Sequence, residues 1–131
     1  PGALNTTSSN DPLLMNNTGN KAIAAGSIDL NATHLVGETD NTKALYAGNF
    51  TISLAANGGI ECGGTTTNVT TLARAVYTAI TNSTLSRGNH SVNDGITGQE
   101  QLYSCLTLAG SELSSQSYST SAQGAWTLRT N

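Results

Sequence analysis

Apolar and polar residues alternate in two stretches of the first half of the chain. The stretches are residues 22–36 and residues 44–55, and a period of two is typical of a strand with one buried face. We therefore expect two strands whose polar side chains face solvent. The apolar positions of these strands are Ile28, Leu30, Ala32, Phe50, Ile52 and Leu54.

A different period follows the turn sequence ANGG. Apolar residues then recur at the spacing of one helix face, and Thr67 or Asn68 is suited to cap the first turn through a side-chain oxygen. This pattern predicts a single helix over residues 68–81. The apolar positions of its face are Val69, Leu72, Ala73, Val76 and Ile80.

Two further strands are predicted in the last third of the chain. The segment QLYSCLTLAG alternates leucines with Tyr103, Cys105 and Thr107, and the segment AWTLRT has Trp126 and Leu128 on one face. The order of elements is strand, strand, helix, strand, strand. It predicts an α+β fold in which an antiparallel sheet of four to five strands packs against the single helix.

The first 20 residues, PGALNTTSSNDPLLMNNTGN, form a polar arm without a hydrophobic period. Such a composition is typical of disorder. Its apolar anchors are Leu13, Leu14 and Met15, which we expect to pack either on the domain itself or on a neighbouring molecule. We therefore divide the chain into an arm, residues 1–20, and one secreted α+β domain, residues 21–131.

The composition predicts a thin hydrophobic core. Only 37% of the 131 residues are hydrophobic and 10% are charged, and Ser, Thr, Asn and Gly fill the difference. A core this sparse benefits from a covalent clamp. A disulfide between Cys62 and Cys105 would stabilise the fold by about 4 kcal/mol in the chain-entropy model.

Sequons for N-glycosylation are more frequent than the composition predicts. With 14 Asn and 34 Ser plus Thr in 131 residues, chance gives roughly three to four Asn-x-Ser/Thr sequences, and the chain has twice that number. The excess predicts a secreted, extracellular glycoprotein, in which a disulfide is stable. Composition alone, without attached sugar, is the alternative. The sequons begin at Asn5, Asn16, Asn31, Asn49, Asn68, Asn82 and Asn89.

Charge and hydropathy argue against several classes of function. The net charge is −3, and the five Lys and Arg residues form no basic run, so binding to a nucleic acid duplex or to a membrane surface by electrostatics is disfavoured. No apolar segment approaches the roughly 18 residues of a membrane span. The histidines and cysteines lack the spacing of a metal site, and we expect no cofactor.

One part of the chain resembles a known family. The segments CGGTTTNVTTLARAVYTA, NHSVNDG, QLYSCLTL and AWTLRTN are similar to the fungal guanyl-specific ribonucleases, in which a Cys-Gly-Ser turn leads into a single helix. The resemblance spans residues 60–131. It implies endoribonuclease chemistry: a carboxylate takes the proton of the ribose 2′-hydroxyl, a histidine protonates the leaving oxygen, and cations stabilise the developing charge.

The residues that match this chemistry are incomplete. His90 takes the place of the family's first histidine, and Arg129 is suited to face a phosphate. The position similar to the general base is Ser104, whose hydroxyl is not a base at neutral pH. Glu61, beside the Cys62 turn, is the candidate replacement, and His34 could replace the family's second histidine only if the N-terminal strands fill that space. We therefore expect a ribonuclease-like protein without catalytic activity. An active endoribonuclease is the alternative.

Three functional hypotheses follow. The first is a secreted effector that binds a protein or glycan partner, or RNA if the ribonuclease resemblance holds. The second is a secreted protein similar to killer toxins. The third is a structural subunit of an extracellular filament or surface coat, a homo-oligomer in which the N-terminal arm completes a neighbour's sheet by strand addition.

Overall fold

The computed structural model describes residues 12–54, 69–88 and 97–131 in full and residues 3–7 as backbone. Regular structure in this part of the chain is almost entirely β, with one three-residue 3₁₀ turn, Ala47–Asn49. The strands are β1 (Ala3–Thr7), β2 (Leu13–Asn16), β3 (Ile28–Asn31), β4 (Leu35–Gly37), β5 (Ala44–Leu45), β6 (Phe50–Ser53), β7 (Val69–Thr71), β8 (Tyr77–Ala79), β9 (Gln99–Ala109), β10 (Tyr118–Ser119) and β11 (Thr127–Thr130).

The predicted α+β fold is therefore wrong, because the expected helix over residues 68–81 is absent from residues 69–81. Val69–Thr71 pairs with β6, and Tyr77–Ala79 pairs with β3. The segment is rich in β-branched residues, which fit a strand better than a helix. Ala75 also has a φ of 56°, a left-handed conformation that interrupts any helix here.

The strands form three antiparallel sheets. In the first sheet the order is β1, β9, β6, β7, and β2 also pairs with β9. The second sheet has the order β10, β4, β5, and the third has the order β11, β3, β8. The long strand β9 lies at the centre of the first sheet because strands pair along both of its edges.

Side chains of the first and third sheets meet in one hydrophobic core. Met15, Ile52 and Leu102 come from the first sheet, and Ile28 and Leu30 come from the third. Of the predicted inward positions of the early strands, Ile28, Leu30, Ala32 and Ile52 are buried, whereas Phe50 and Leu54 are partly buried against the core. Residues between the strands complete the cluster: Ala32, Ala47, Leu72, Ile80 and Leu85.

The polar positions of these strands do not face solvent as predicted. Asp29, Thr51 and Ser53 are all buried. Asp29 binds Arg129 and Asn131 from the C-terminal end of the chain. The alternating pattern therefore predicted the strands correctly. It did not predict that their polar face is also buried.

The N-terminal arm contributes two strands to the first sheet. β1 pairs antiparallel with the second half of β9, and β2 pairs antiparallel with its first half. Of the three predicted anchors, Met15 is buried in the core, whereas Leu13 and Leu14 are about half exposed. In the described part of the chain, no helix is long and apolar enough to cross a membrane.

Candidate functional site

The predicted ribonuclease site cannot be assembled from the described residues. His90 and Glu61 both lie outside them, so their catalytic roles stay predictions. Arg129 is described and has structural partners: its guanidinium forms an ion pair with Asp29 at 2.9 Å and lies 3.9 Å from the centroid of the Tyr77 ring. Neutralisation by Asp29 makes Arg129 a poor free cation for a phosphate.

The environment of Asp29 favours its charged form. Hydrogen bonds from Asn131 and from Arg129 lower the pKa of Asp29, and the positive charge of Arg129 acts in the same direction against the effect of burial. The carboxylate is thus held ionised as the centre of a bridge between β3 and β11. It accepts from Asn131 Nδ2 at 2.7 Å and from Arg129 Nε at 3.0 Å.

Ser104 lies in an apolar environment. It lines a cavity of about 420 Å³ between the first and third sheets, and no carboxylate or imidazole is among the described residues that line it. The described surroundings therefore supply no replacement for the general base. The other lining residues are Leu13, Leu30, Ile52, Leu102, Trp126 and Leu128.

His34 has a structural environment as well. Its Nδ1 accepts a hydrogen bond from the backbone of Ala47 at 3.0 Å, and its ring packs edge-on against Tyr46. Burial lowers the pKa of His34, and the charge of Arg74 adds to this effect. The neutral ring that results is suited to orient the turn at Ala47. It is less suited to act as an acid in catalysis.

The predicted disulfide is described at one end only. Cys105 is buried in the middle of β9, where it lies opposite Thr7 on one side and Thr51 on the other, and it is not a free thiol. Cys62 lies outside the described residues. The bond between Cys62 and Cys105 therefore stays a prediction.

The sequon asparagines differ in exposure. Asn16 and Asn82 are exposed, whereas Asn31 and Asn49 are partly buried, and the Oδ1 atom of Asn31 is enclosed without a hydrogen-bond partner. Nothing is described of the side chain of Asn5, and Asn68 and Asn89 lie outside the described residues. Exposure thus favours Asn16 and Asn82 as glycan acceptors.

The arm and β9 together form the most extended interface of the described chain. Ala3 lies opposite Ala109 and Thr7 opposite Cys105, and then Leu13 lies opposite Leu102. Both halves of the arm run in the same direction along the same strand. The arm therefore covers β9 as one interrupted strand.

The opposite edge of β9 is covered for part of its length. β6 pairs with Tyr103–Leu106. Among the described strands, Leu108 and Ala109 are paired by β1 alone. Removal of β1 would leave the backbone groups on its edge of β9 without their strand partner, and such an edge is a template for another strand. The sequence pattern predicts the arm but not this partner.

Beside the arm, a groove separates the two sheets that share the core. A second cavity, of about 490 Å³, is lined by Met15 and Asn17 on the side of the arm and by Leu128 and Arg129 of β11 on the other side. Leu128 lines both this cavity and the one that contains Ser104. The arm thus forms one wall of a groove with polar and apolar lining residues, in addition to its two strands in the first sheet.

Comparison with known proteins identifies no relative. No family model, curated protein or solved structure matches this chain. The resemblance to ribonucleases therefore stays a prediction from the sequence. The described residues also contain no cluster of three or more His, Cys, Asp or Glu that could hold a metal ion.

Proposed function

We propose that this protein is a structural subunit of an extracellular filament or surface coat, and that subunits assemble through the N-terminal arm. The observation that carries the proposal is the pairing of the arm with β9. The arm supplies β1 and β2, which both pair with the strand at the centre of the first sheet. Backbone pairing in this register can form equally well with a second copy of the chain.

The energetics of strand addition support this proposal. An arm that leaves its own β9 and joins the β9 of a neighbour exchanges one set of hydrogen bonds for an identical set. The free-energy difference between monomer and assembly then depends mainly on subunit concentration and on strain in the connection. Because each subunit would give one arm and receive another, the contact is heterologous and can propagate into a filament.

The sequence composition is consistent with a protein outside the cell. The exposed sequons at Asn16 and Asn82 offer places for glycans at the surface. The polar surface and the low content of charged residues, 10% of the chain, also suit close packing of identical subunits, since little charge must be neutralised between them. Effector and toxin functions stay predictions without a distinguishing site in the described residues.

The test begins with the size of the native protein. Purified protein is examined by size-exclusion chromatography with light scattering and by negative-stain microscopy over a range of concentrations. We expect oligomers whose size increases with concentration. A monodisperse monomer under all conditions would contradict the proposal.

A shortened variant then tests the role of the arm. Deletion of residues 1–11 removes β1 but keeps β2 and the buried Met15. We expect this variant to stay monomeric and to bind a synthetic peptide of residues 1–11, because the peptide restores the missing strand. A peptide of the same composition in scrambled order is the control. Assembly of the shortened variant at the normal yield would exclude β1 from the contact.

A further inference from the structure

The second half of the arm, β2, is attached to the domain by more than its pairing with β9. Directly after β2, Asn17 donates its backbone N–H to Gly98 O at 2.7 Å, and its side-chain Nδ2 donates to Ser86 O at 3.0 Å and to Lys21 O at 2.8 Å. Its Oδ1 accepts from the backbone of Gly19 at 2.9 Å. Asn17 therefore joins three separate segments of the chain to the end of β2.

Close packing around Asn17 strengthens this attachment. The backbone oxygen of Asn17 lies so near to Gly88 that a β-carbon there would be 1.4 Å away, and a β-carbon on Gly98 would be 2.9 Å away. Only glycine permits such an approach. Met15, two residues earlier in the chain, is buried in the core with 9% of its surface exposed. β2 is thus fixed by core packing and by the hydrogen bonds of Asn17.

β1 lies along the second half of β9. Its backbone pairs with β9 from Cys105 to Ala109. Backbone hydrogen bonds in this register can be formed by any strand that takes the place of β1.

The connection between β1 and β2 is longer than the sheet requires. From Thr7 to Leu13 the chain takes six residue steps, whereas β9 takes three steps between the residues opposite them, Cys105 and Leu102. At about 3.4 Å per step, the connection can span about 20 Å where about 10 Å is needed. β1 can therefore separate from β9 without displacing β2.

The surface that β1 covers is suited to receive an identical strand. Leu108 is 47% exposed even with β1 in place, and Leu108 and Ala109 have β1 as their strand partner in the described part of the chain. Backbone groups at this end of β9 become unpaired when β1 leaves. A second copy of β1 satisfies them in the same register.

We propose that β1 alone is the exchanged element: it pairs with the Cys105–Ala109 segment of β9 in a second copy of this chain, while β2 stays on its own domain. This inference rests on the proposed function, since it names the segment and the acceptor of that assembly. Residues 8–12 connect the donor strand to the fixed half of the arm. The acceptor edge in one subunit is vacated because its own β1 joins the next subunit.

Cysteine pairs placed in the observed register distinguish exchange of β1 from exchange of the whole arm. Leu4 lies opposite Leu108 in the β1 contact, and Leu14 lies opposite Gln101 in the β2 contact. Partners in an antiparallel pair have Cα atoms about 4.5–5.5 Å apart, a distance at which a disulfide forms. The two cysteines of each pair are placed in separate variants, for example Leu4→Cys and Leu108→Cys. The two variants are mixed before assembly and oxidised mildly. Covalent dimers are then detected on a non-reducing gel.

We expect the mixture of Leu4→Cys and Leu108→Cys to give covalent dimers, and random mixing places the two cysteines together at about one junction in four. We expect the mixture of Leu14→Cys and Gln101→Cys to give none. The double variant Leu14→Cys/Gln101→Cys is the control, since a bond within one chain shows that the β2 pair can form when its partners meet.

The possible results separate this inference from the proposed function. Dimers from both mixtures would mean that the whole arm exchanges, which overturns the inference and leaves the assembly proposal intact. Filaments without dimers from either mixture would also overturn the inference and would assign assembly to another surface. If the native protein forms no oligomers at all, the proposed function fails, and the inference fails with it.

Discussion

The carboxylate of Asp29 and the guanidinium of Arg129 form an ion pair between neighbouring strands, at 2.9 Å. The two residues are directly opposite each other in the register of β3 and β11. Asp29 is buried while Arg129 is half exposed, so the pair is anchored at the carboxylate. The pair attaches the last strand of the chain to the third sheet.

This ion pair predicts a loss of stability in acid. The pKa of Asp29 is lowered in the folded protein, so its contribution is complete above the pKa of the unfolded chain, about 3.9, and decreases as the pH falls toward the lower folded value. We expect the melting temperature to fall below about pH 4. In Asp29→Asn this component of the pH dependence should disappear, as thermal unfolding from pH 7 to pH 2 would measure. An unchanged pH profile in the variant would contradict the prediction.

Gly88 should be intolerant of any side chain. A β-carbon in Gly88→Ala would meet the backbone of Asn17 at 1.4 Å, and a clash with backbone must displace the chain. We expect the free energy of unfolding in urea to decrease by about 2 kcal/mol or more. Gly48→Ala is the matched control, since its nearest neighbour would be 3.8 Å away. Equal stability of the two variants would show that Asn17 does not hold β2 closely.

Trp126 should make a large contribution to stability through its position between the sheets. Its indole Nε1 donates to Thr33 O at 2.9 Å, its ring packs edge-on against Phe50, and it lines the cavity beside Ser104. We expect Trp126→Ala to lower the free energy of unfolding by about 3 kcal/mol and Trp126→Phe by about 1 kcal/mol, the cost of one hydrogen bond. Val76→Ala, at a residue 52% exposed, should have almost no effect.

The predicted disulfide should be detectable by its effect on melting. Cys62→Ser would remove the covalent loop between the two cysteines, and we expect the melting temperature to fall by several degrees, with the same fall in native protein under reducing conditions. Differential scanning calorimetry with and without a reductant measures both effects. A melting temperature that changes in neither case would mean that the cysteines are not bonded to each other.

The strands could be predicted from the sequence where the apolar period is local. The alternating pattern predicts four of the buried strand residues: Ile28, Leu30, Ile52 and Leu102. The helix prediction failed because Leu72 and Ile80 have helical spacing but belong to separate segments that pair with different strands. Helical periodicity over a few residues cannot exclude such tertiary pairing.

The candidate interface could be predicted only in part. The polar arm and its anchors are evident from the sequence, and Met15 is indeed buried. The partner of the arm is not evident, because the pairing of Leu13 with Leu102 depends on residues at the other end of the chain. The predicted catalytic residues His90 and Glu61 lie outside the described residues and stay untested.

The pairing of the arm with β9 has a consequence for the order of events during biosynthesis. Ala3 is synthesised long before Ala109, which lies opposite it in the finished sheet. Until the ribosome has produced β9, the arm has no partner within its own chain, and the closure of so long a loop is slow. The first sheet can therefore be completed only after nearly the whole chain has been synthesised, and its central strand must then find the arm across a large separation in sequence.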